Sequence, residues 1–386
     1  MTELEREFKN ILTARREKSR LRSLDIASNT LVDFSSNDYL SLSTNATFKS
    51  MILTELEKLP IGSGGSRLLD GNNSYVEDLE STISSFHKSQ SALLFSSGFD
   101  ANVSIFTSIP QPGDYVFFDE YIHASVHDGM KLGRTKYRYP FKHNNVESLA
   151  SQLQTFYRGT GHIFIALESV YSMDGDLAPL KEIVELSKRV FPMKIYIIVD
   201  EAHATGVIGD GRGLVAQLGL ENDIFIRVHT FGKALSSNGA VVLCSSLTRE
   251  YLINYSRPLI FSTAMSFVML STIKCAYQFL NTEEFYESHR RLMSLTNFFG
   301  RESHSSGLNK KFQLIGGHSS IFALLTSKPR KLSRELRNRG FLVRPIVFPT
   351  VPKGAERIRI CLHALNTEEQ LRNIIQCLLE YSSANL

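Results

Sequence analysis

Short apolar runs in the middle of the chain constrain its fold more than any other feature. They read SALLFSSG, DYVFFDE, HIFIALES, IYIIVDEAH, IFIRVHTFG and GAVVLCSS, and each is suited to a buried strand. Helical patterns separate them, with apolar residues at three- and four-residue steps in 76–86 and 180–191. Continuously apolar strands that alternate with helices predict an α/β fold, in which a mainly parallel sheet is covered on both faces.

The two ends of the chain differ from this middle part. A polar, charge-rich helix is predicted over 3–22, followed by a short strand in LVDFSS. A long helical stretch, roughly 263–303, follows the last apolar run, and SSIFALLTS, KLSRELRNRG and ERIRICLHA then indicate a βαβ-like tail. Since 386 residues are too many for one small core, the sequence predicts several parts. These are an N-terminal segment over 1–45, a large domain over 46–280 and a smaller C-terminal α+β domain over 281–386.

Composition and charge exclude several classes of protein. The chain carries a net charge of +4, from 43 Lys and Arg against 39 Asp and Glu, with no concentrated basic stripe of the kind that binds nucleic acid. Its four cysteines form no CxxC pair and are predicted to be reduced structural thiols. The first residues have no apolar h-region, and no run approaches the roughly 20 apolar residues of a membrane span. The sequence therefore predicts a cytoplasmic protein with no nucleic-acid or membrane partner.

Polar residues follow the predicted strands at the point where each strand ends. In open α/β sheets, ligands bind in the crevice beyond the carboxyl ends of the strands. Because five consecutive runs deliver polar or turn-forming residues to this edge, a functional site is a better explanation than chance. The residues are Ser97, Gly98 and Phe99, then His123, then Glu168 and Ser172, then Asp200 and His203, and finally Thr230 and Lys233.

The chemistry of these groups points to a cofactor. Asp200 directly follows a buried strand, so its carboxylate needs a cationic or hydrogen-bonding partner, such as a protonated heteroaromatic nitrogen. A desolvated lysine such as Lys233 has a depressed pKa and can form a Schiff base, and His203 could donate to a phenolic oxygen. The turn over 97–99 and the stretch GSGGSR (62–67) could hold a phosphate with backbone N–H groups. Together these features fit pyridoxal 5′-phosphate (PLP).

Simpler interpretations of the same residues stay open at this level. Asp200 could be a helix N-cap or a turn residue, Lys233 a turn residue and His203 a structural histidine. His123 and His127 form an i, i+4 pair, but no third ligand is obvious and the HExxH pattern is absent, so no metal site is predicted. The run VDEAH resembles the Walker B element of helicases, but the sequence contains no GxxxxGK[ST] loop to hold nucleotide phosphates.

Sequence blocks along the chain resemble those of the α-oxoamine synthases, a family of fold-type I PLP-dependent transferases. The blocks occur in family order and cover nearly the whole chain: FSSNDYLSL, GSGGSRLLDGN, LLFSSGFDAN, DEYIHAS, ESVYSMDGDLAPL, VDEAHATGVIGDGRG, TFGKALSSNGA, PLIFSTAM and PTVPKGAERIRICLHA. The resemblance implies a fold-type I architecture and a PLP-dependent acyltransferase. It also implies a homodimer with active sites at the subunit interface.

The resemblance assigns roles to individual positions. It implies that Lys233 carries the cofactor and acts as acid and base, that Asp200 pairs with the pyridinium nitrogen, and that His123 stacks on the ring. His203 and Ser172 match positions near the phenolic oxygen. The further cofactor-binding candidates are Ser97, Gly98, Phe99, Glu168, Thr230 and, from the neighbouring subunit, Thr263.

Substrate contacts follow from the same resemblance. Asn37 and Arg359 match positions that grip the carboxylate of the amino acid, and Arg22 aligns with an arginine of the substrate site. The chain departs from many relatives in VRPIVFPTVP, where Val347 stands in place of an arginine. Arg344, three residues earlier, is the hypothesised substitute.

The implied reaction is the decarboxylative condensation of an amino acid with an acyl-CoA thioester, which releases CoA and CO2. The blocks FSSNDYL and ICLHA favour the branch of the family that joins L-alanine to a pimeloyl thioester in biotin biosynthesis. The main alternative is a branch with another amino acid or acyl chain, as in serine palmitoyltransferase, glycine C-acetyltransferase or a long-chain amino ketone synthase. A non-catalytic relative is disfavoured, because Lys233, Asp200 and His203 are all present.

Overall fold

Strands and helices alternate along the chain in the computed structural model, which describes residues 1–18, 20–26, 28 and 30–381. The strands are β1 (Val32–Asp33), β2 (Ser91–Phe95), β3 (Tyr115–Asp119), β4 (Tyr137–Phe141), β5 (Ile163–Glu168), β6 (Ile195–Asp200), β7 (Ile226–Thr230), β8 (Ala240–Cys244), β9 (Leu314–Gly316), β10 (Ile321–Leu325), β11 (Phe341–Leu342), β12 (Arg344–Ile346) and β13 (Arg357–Cys361). The helices are α1 (Glu3–Glu17), α2 (Ala46–Leu56), α3 (Ser74–Phe86), α4 (Gly98–Ser108), α5 (Ala124–Leu132), α6 (Val146–Phe156), α7 (Leu180–Val190), α8 (Leu214–Gln217), α9 (Ser246–Tyr255), α10 (Arg257–Ile260), α11 (Phe267–Phe279), α12 (Glu283–Ser305), α13 (Leu308–Lys311), α14 (Pro329–Asn338) and α15 (Glu368–Glu380), with a 3-10 turn at Leu42–Thr44.

A seven-stranded sheet organises the larger part of the fold. Its order is β2-β8-β7-β6-β5-β3-β4, and neighbouring strands are parallel except at β8, which is antiparallel to β2 and β7. Alternate residues of β6 pack into two separate cores, with Ile197 and Val199 in one and Ile198 in the other, because helices cover both faces. The predicted α/β fold with a mainly parallel central sheet is confirmed. The sequence patterns do not predict the edge strand β4, since its run YRYPF is mostly exposed and contains a proline.

A four-stranded sheet of order β12-β13-β10-β9 organises the smaller part, and all its pairs are antiparallel. The prediction of a βαβ-like tail is therefore wrong. The chain makes an additional reversal through β12 after α14, so that β13 returns antiparallel to β10. Strand β1 pairs in parallel with β11 and ties the N-terminal part of the chain to this region. The domain bounds 1–45, 46–280 and 281–386 stay a prediction.

The helices differ from the sequence patterns in two places. Helix α1 ends at Glu17, so the predicted helix over 3–22 is too long. The stretch predicted over 263–303 is divided between α11 and α12, because Thr282 caps α12 by accepting a hydrogen bond from Phe285 N at 3.2 Å. Helices α3 and α7 confirm the patterns over 76–86 and 180–191. None of the described helices is both long enough and apolar enough to cross a bilayer, and the cytoplasmic location stays a prediction.

Candidate active site

A cavity of about 270 Å³ lies beyond the carboxyl ends of β5, β6 and β7, at the edge of the large sheet. The predicted strand-end residues all line it except Ser172. The location follows from the sheet, because parallel strands bring their carboxyl ends to one edge. The lining residues are Asn37, Ser97, Gly98, Phe99, Asn102, His123, Glu168, Asp200, Ala202, His203, Thr230, Gly232, Lys233, Asn238 and Gly239.

Helix α4 presents its N-terminus to this cavity. Ser97 caps the helix by accepting a hydrogen bond from Asp100 N at 3.0 Å. A Cβ atom on Gly98 would stand 2.5 Å from Thr230 Cγ2, so only glycine lets the turn lie against β7. Backbone N–H groups at the start of an 11-residue helix, beside a threonine hydroxyl, form a site suited to a phosphate.

Asp200 ends β6 with its carboxylate held from two sides. Its Oδ1 accepts from Ala202 N at 2.9 Å, and its Oδ2 accepts from Asn102 Nδ2 at 2.8 Å. The residue is only 7% exposed, and no ion pair involves it among the described residues. A buried, oriented carboxylate without a cationic partner fits a ligand that supplies positive charge, such as the pyridinium nitrogen of PLP.

Two histidines line the cavity in neutral form. Burial lowers the pKa of His203 well below its usual value, and the positive charges of Lys233 and Arg359 lower it further. Its Nδ1 hydrogen bonds to the hydroxyl of Tyr39 at 2.7 Å. Burial also lowers the pKa of His123, whose Nδ1 accepts from the backbone N–H of the residue two positions on and so caps α5. Both rings are thereby fixed without carrying charge.

Burial shifts the pKa values of Lys233 and Glu168, which both line the cavity. Burial lowers the pKa of the Lys233 amine, although Asp200 and Glu168 oppose the shift. The Nζ atom donates a long hydrogen bond to Thr230 Oγ1 at 3.5 Å. Burial and the nearby Asp200 raise the pKa of Glu168 well above its usual value, and its Oε1 has no hydrogen-bond partner among the described residues. A buried oxygen without a hydrogen-bond partner and a buried amine with a lowered pKa are features expected of a site that takes a polar ligand.

The turn after β7 explains the small residues that follow Lys233. Ser236 N donates to the carbonyl of Lys233 at 2.9 Å, and Phe231 N donates to the carbonyl of Gly239 at 3.0 Å. Gly239 has a φ of +102°, and a Cβ there would stand 2.9 Å from Phe95 O. The turn therefore lies with Gly239 against the end of β2, where a residue with a side chain would not fit.

Arg359 reaches the large-sheet site from β13 of the smaller sheet. Its Nη2 donates to Asn37 Oδ1 at 3.1 Å, and its Nη1 donates to the carbonyl of Ser172 at 2.9 Å. Asn37 lines the cavity, so the guanidinium stands directly behind its wall. A fixed arginine beside an amide oxygen is a geometry suited to a carboxylate.

Other predicted site residues lie outside the cavity. Ser172 contributes its backbone carbonyl to Arg359 rather than a lining side chain. Thr263 lines a separate small cavity together with Arg67 and Gly71. Arg22 is exposed, and Arg344 forms an ion pair with Asp25 at 3.3 Å. The roles predicted for these four residues stay predictions.

Two contributors were missed by sequence reasoning. Tyr39 bonds to His203 and donates to Asn37 Oδ1 at 3.2 Å, and Asn102 orients Asp200. Both lie in sequence blocks that resemble the family, FSSNDYLSL and LLFSSGFDAN. Their partners are far away in the chain, since His203 is 164 residues from Tyr39 and Asp200 is 98 residues from Asn102. Asn102 lies one helical turn after Gly98 on α4, and this spacing is the signal that could have found it.

Comparison with known proteins agrees with the fold and the cavity. The family profile described as "Aminotransferase class I and II" matches residues 29–378. The 8-amino-7-oxononanoate synthase of Emericella nidulans is 46% identical over 385 residues, covering 96% of this chain and 93% of that protein. The aminoacyl transferase sphA of Byssochlamys spectabilis is 37% identical over 373 residues, covering 89% and 79%.

Solved structures of related enzymes share this fold over nearly the whole chain. A serine palmitoyltransferase from S. paucimobilis with bound PLP superimposes with a TM-score of 0.86 at 26% identity, over 98% of both chains. The 8-amino-7-oxononanoate synthase of Francisella tularensis gives a TM-score of 0.74 at 29% identity, over 91% of this chain and 97% of that one. The fold and the cavity define a fold-type I, PLP-dependent acyltransferase. Within that class, the chain belongs to the α-oxoamine synthase family.

Proposed function

We propose that the chain condenses L-alanine with pimeloyl-CoA to give 8-amino-7-oxononanoate, CoA and CO2. The observation that carries this choice is the 46% identity to an 8-amino-7-oxononanoate synthase over nearly the full length of both proteins. The cavity offers the groups that such a reaction needs, namely a desolvated amine, an oriented carboxylate and a phosphate cradle.

PLP, when bound, supplies an electron sink that stabilises negative charge at the α-carbon of the amino acid. Lys233 is the group proposed to take and return the proton at that carbon. Its buried amine has a lowered pKa, so a larger fraction is free base near neutral pH than for a surface lysine. Asp200, oriented by Asn102, is proposed to keep the pyridine nitrogen protonated.

The remaining wall residues are proposed to position the cofactor. His123 and His203 are neutral and fixed, which suits stacking on a ring and a hydrogen bond to a phenolic oxygen. Burial raises the pKa of Glu168, which favours the protonated carboxyl that can donate a hydrogen bond. The N-terminus of α4 and Thr230 are proposed to hold the phosphate.

Substrate binding is proposed to involve arginines of the smaller sheet and of the N-terminal segment, with Arg344 and Arg359 opposite each other on β12 and β13. Arg359 and Asn37 would bind the carboxylate of L-alanine, since they are already joined at 3.1 Å behind the wall. Arg22 and Arg344 are proposed to face the distal carboxylate of the pimeloyl chain. In this proposal Asp25 holds Arg344 until that carboxylate arrives.

The proposed enzyme is a homodimer in which Thr263 serves the neighbouring site. Thr263 does not line the cavity of its own Lys233, which supports this arrangement. Apolar side chains near it are exposed, with Ile61 at 68%, Leu69 at 78% and Phe261 at 70%. Their two segments are joined by a hydrogen bond between residues 264 and 65 at 2.8 Å. Exposed apolar patches of this kind mark protein interfaces.

Light scattering tests the dimer. Phe261→Asp is expected to shift the protein towards monomer and to lower activity, whereas Leu247→Asp, at an exposed leucine elsewhere on the chain, is the control. A fully active monomer would contradict shared sites.

A second candidate activity is a condensation with another amino acid or a longer acyl chain. It is favoured by the 37% identity to the aminoacyl transferase sphA and by the structural likeness to serine palmitoyltransferase. A CoA-release assay separates the two, with L-alanine, L-serine and glycine crossed against pimeloyl-, palmitoyl-, succinyl- and acetyl-CoA. We expect the highest kcat/KM with L-alanine and pimeloyl-CoA. A preference for L-serine and palmitoyl-CoA would overturn the proposal.

A further inference from the structure

The turn 172–176, between β5 and α7, contacts both sheets of the molecule. On one side it follows the end of β5, which carries Glu168 at the cavity. On the other side the carbonyl of Ser172 accepts a hydrogen bond from Arg359 of β13. This turn therefore connects the cavity wall to the smaller sheet and fixes their relative position.

The large-sheet side holds the turn through His143, which follows β4. His143 Nε2 lies 2.8 Å from Asp176 Oδ2, and its Nδ1 lies 2.9 Å from Asp119 Oδ1. Asp119 ends β3 and is fully buried. Asn144 adds a hydrogen bond from its Nδ2 to Asp176 Oδ2 at 2.7 Å. The imidazole ring of His143 thus joins the end of β3 to the turn 172–176.

His143 carries a proton on both ring nitrogens, since ionised carboxylates only accept hydrogen bonds. Burial by itself lowers its pKa, but the hydrogen bonds and charges of Asp119 and Asp176 outweigh burial and raise the pKa to about 10. His143, Asp174 and Asp176 could also offer three ligand atoms within 4.8 Å to a metal ion. An imidazolium has no free lone pair for a metal, and Asp174 is already paired with Arg357. The group is therefore suited to hold the chain rather than an ion.

The small-sheet side holds the same turn at two further points. Arg357 of β13 forms a buried ion pair with Asp174, two residues before the carboxylate that His143 holds. Ser319 Oγ donates to the carbonyl of Gly175 at 2.7 Å. Gly175 has a φ of +72°, and a Cβ at that position would overlap the carbonyl oxygen of Ile321 in β10. The turn is thus fastened to β13 and to the start of β10 without space for adjustment.

We propose that His143 is a positioning residue, which holds the turn 172–176 between the two sheets and so sets the position of Arg359 for the amino-acid carboxylate. Arg357 and Arg359 are two residues apart on one strand and point to the same face. The ion pair of Arg357 with Asp174 therefore helps to hold the turn where Arg359 can donate to the carbonyl of Ser172. Without His143, the buried Asp119 and the partly buried Asp176 lose their shared cation, and the turn loses its anchor to β3. The inference rests on the proposed binding of an amino acid at Arg359.

The test uses the PLP-loaded protein and the change in its visible spectrum on titration with L-alanine. His143→Gln keeps the approximate size and loses the charge. We expect its Kd for L-alanine to rise roughly tenfold, because hydrogen bonds to charged groups contribute about 1.5–3 kcal/mol and 1.4 kcal/mol is a factor of ten. Asp174→Asn should act in the same direction, and the double variant should lose less than the two single effects combined. The matched controls are His162→Gln, just before the start of β5, and Asp223→Asn, which removes the ion pair with the exposed Lys188.

Hydrogen exchange of the protein without L-alanine gives a second readout. In His143→Gln the amides of 172–176 and of β10 are expected to exchange faster, while those of β6 stay protected. A variant with a lowered Tm but an unchanged Kd for L-alanine would show a merely structural role and would overturn the inference. If His143→Gln does not fold, Ser319→Ala carries the same test, because it removes the hydrogen bond to Gly175 together with the weaker one that Ser319 Oγ accepts from Ile321 N at 3.3 Å. A wild-type protein whose spectrum does not respond to L-alanine would instead refute the proposed function.

Discussion

The cavity wall and the N-terminal segment 20–26 both carry residues predicted to touch a ligand, but the chain holds them very differently. In the wall, Asp200 accepts hydrogen bonds from Ala202 and Asn102 and is almost fully buried. In the segment, Leu24 and Ile26 are almost completely exposed. The residues of the cavity wall are therefore held in place by packing and hydrogen bonds within the chain, whereas segment 20–26 has little packing within the same chain.

Electrostatics follows the same division. Burial displaces the pKa values of Lys233, His203 and Glu168, because water is excluded from the wall. The ion pair between Arg344 and Asp25 has side chains that are 39% and 50% exposed. Exposed pairs contribute only about 0–1 kcal/mol. We therefore expect the effects of substitution to decrease from the wall to the segment.

Lys233→Ala should give the largest effect. We expect kcat to fall at least about a thousandfold, since positioned acid–base groups contribute roughly 10²–10⁴ in rate. CoA release from pimeloyl-CoA in the presence of L-alanine measures the loss. Lys188→Ala is the matched control, because that lysine is 65% exposed and pairs with Asp223 on the surface. Normal turnover in Lys233→Ala would remove this residue from the proposed mechanism.

Arg359→Gln tests the side of the wall that the smaller sheet supplies. We expect KM for L-alanine to rise about a hundredfold with a smaller change in kcat, because each hydrogen bond to a charged group contributes about 1.5–3 kcal/mol. The variant keeps a donor but loses the charge that would bind a carboxylate. Arg372→Gln, at an exposed arginine of α15, serves as the control. An unchanged KM would show that the carboxylate binds elsewhere.

Asn102→Ala tests a residue of the cavity wall whose proposed role is to orient Asp200. We expect kcat to fall about tenfold, because Asp200 loses one of its two hydrogen bonds and such a bond to a charged group contributes about 1.5–3 kcal/mol. Asn254→Ala removes an exposed amide on α9 and should leave turnover unchanged. If both variants have wild-type kcat, the hydrogen bond from Asn102 is not needed to orient Asp200, and the bond from Ala202 N is sufficient.

The wall could be predicted from sequence because its residues follow buried strands. Asp200 and Thr230 end apolar runs, Lys233 follows Thr230 by three residues, and parallel strands bring those ends together. For Asn102, the helical spacing after Gly98 indicates a position near the cavity but not the hydrogen bond to Asp200. The contact of Tyr39 with His203 could not be predicted, since it depends on packing between elements far apart in the chain. The same reason explains the error in the smaller sheet. Local patterns in the C-terminal part indicate strands and a helix, but they do not encode the reversal at β12 that makes the sheet antiparallel.

Arg344→Ala should give the smallest effect. If Arg344 faces the distal carboxylate of the acyl chain, its removal should raise KM for pimeloyl-CoA about threefold, in line with an exposed pair worth about 0–1 kcal/mol. KM for L-alanine should change less, because Arg359, which lies opposite Arg344 on the neighbouring strand, keeps its own hydrogen bonds to Asn37 and Ser172. Asp25→Ala is the informative partner variant, since it frees Arg344 from its ion pair and should lower KM for pimeloyl-CoA rather than raise it. Unchanged kinetics in Arg344→Ala would exclude Arg344 from the substrate site and leave Arg22 as the proposed contact of the distal carboxylate.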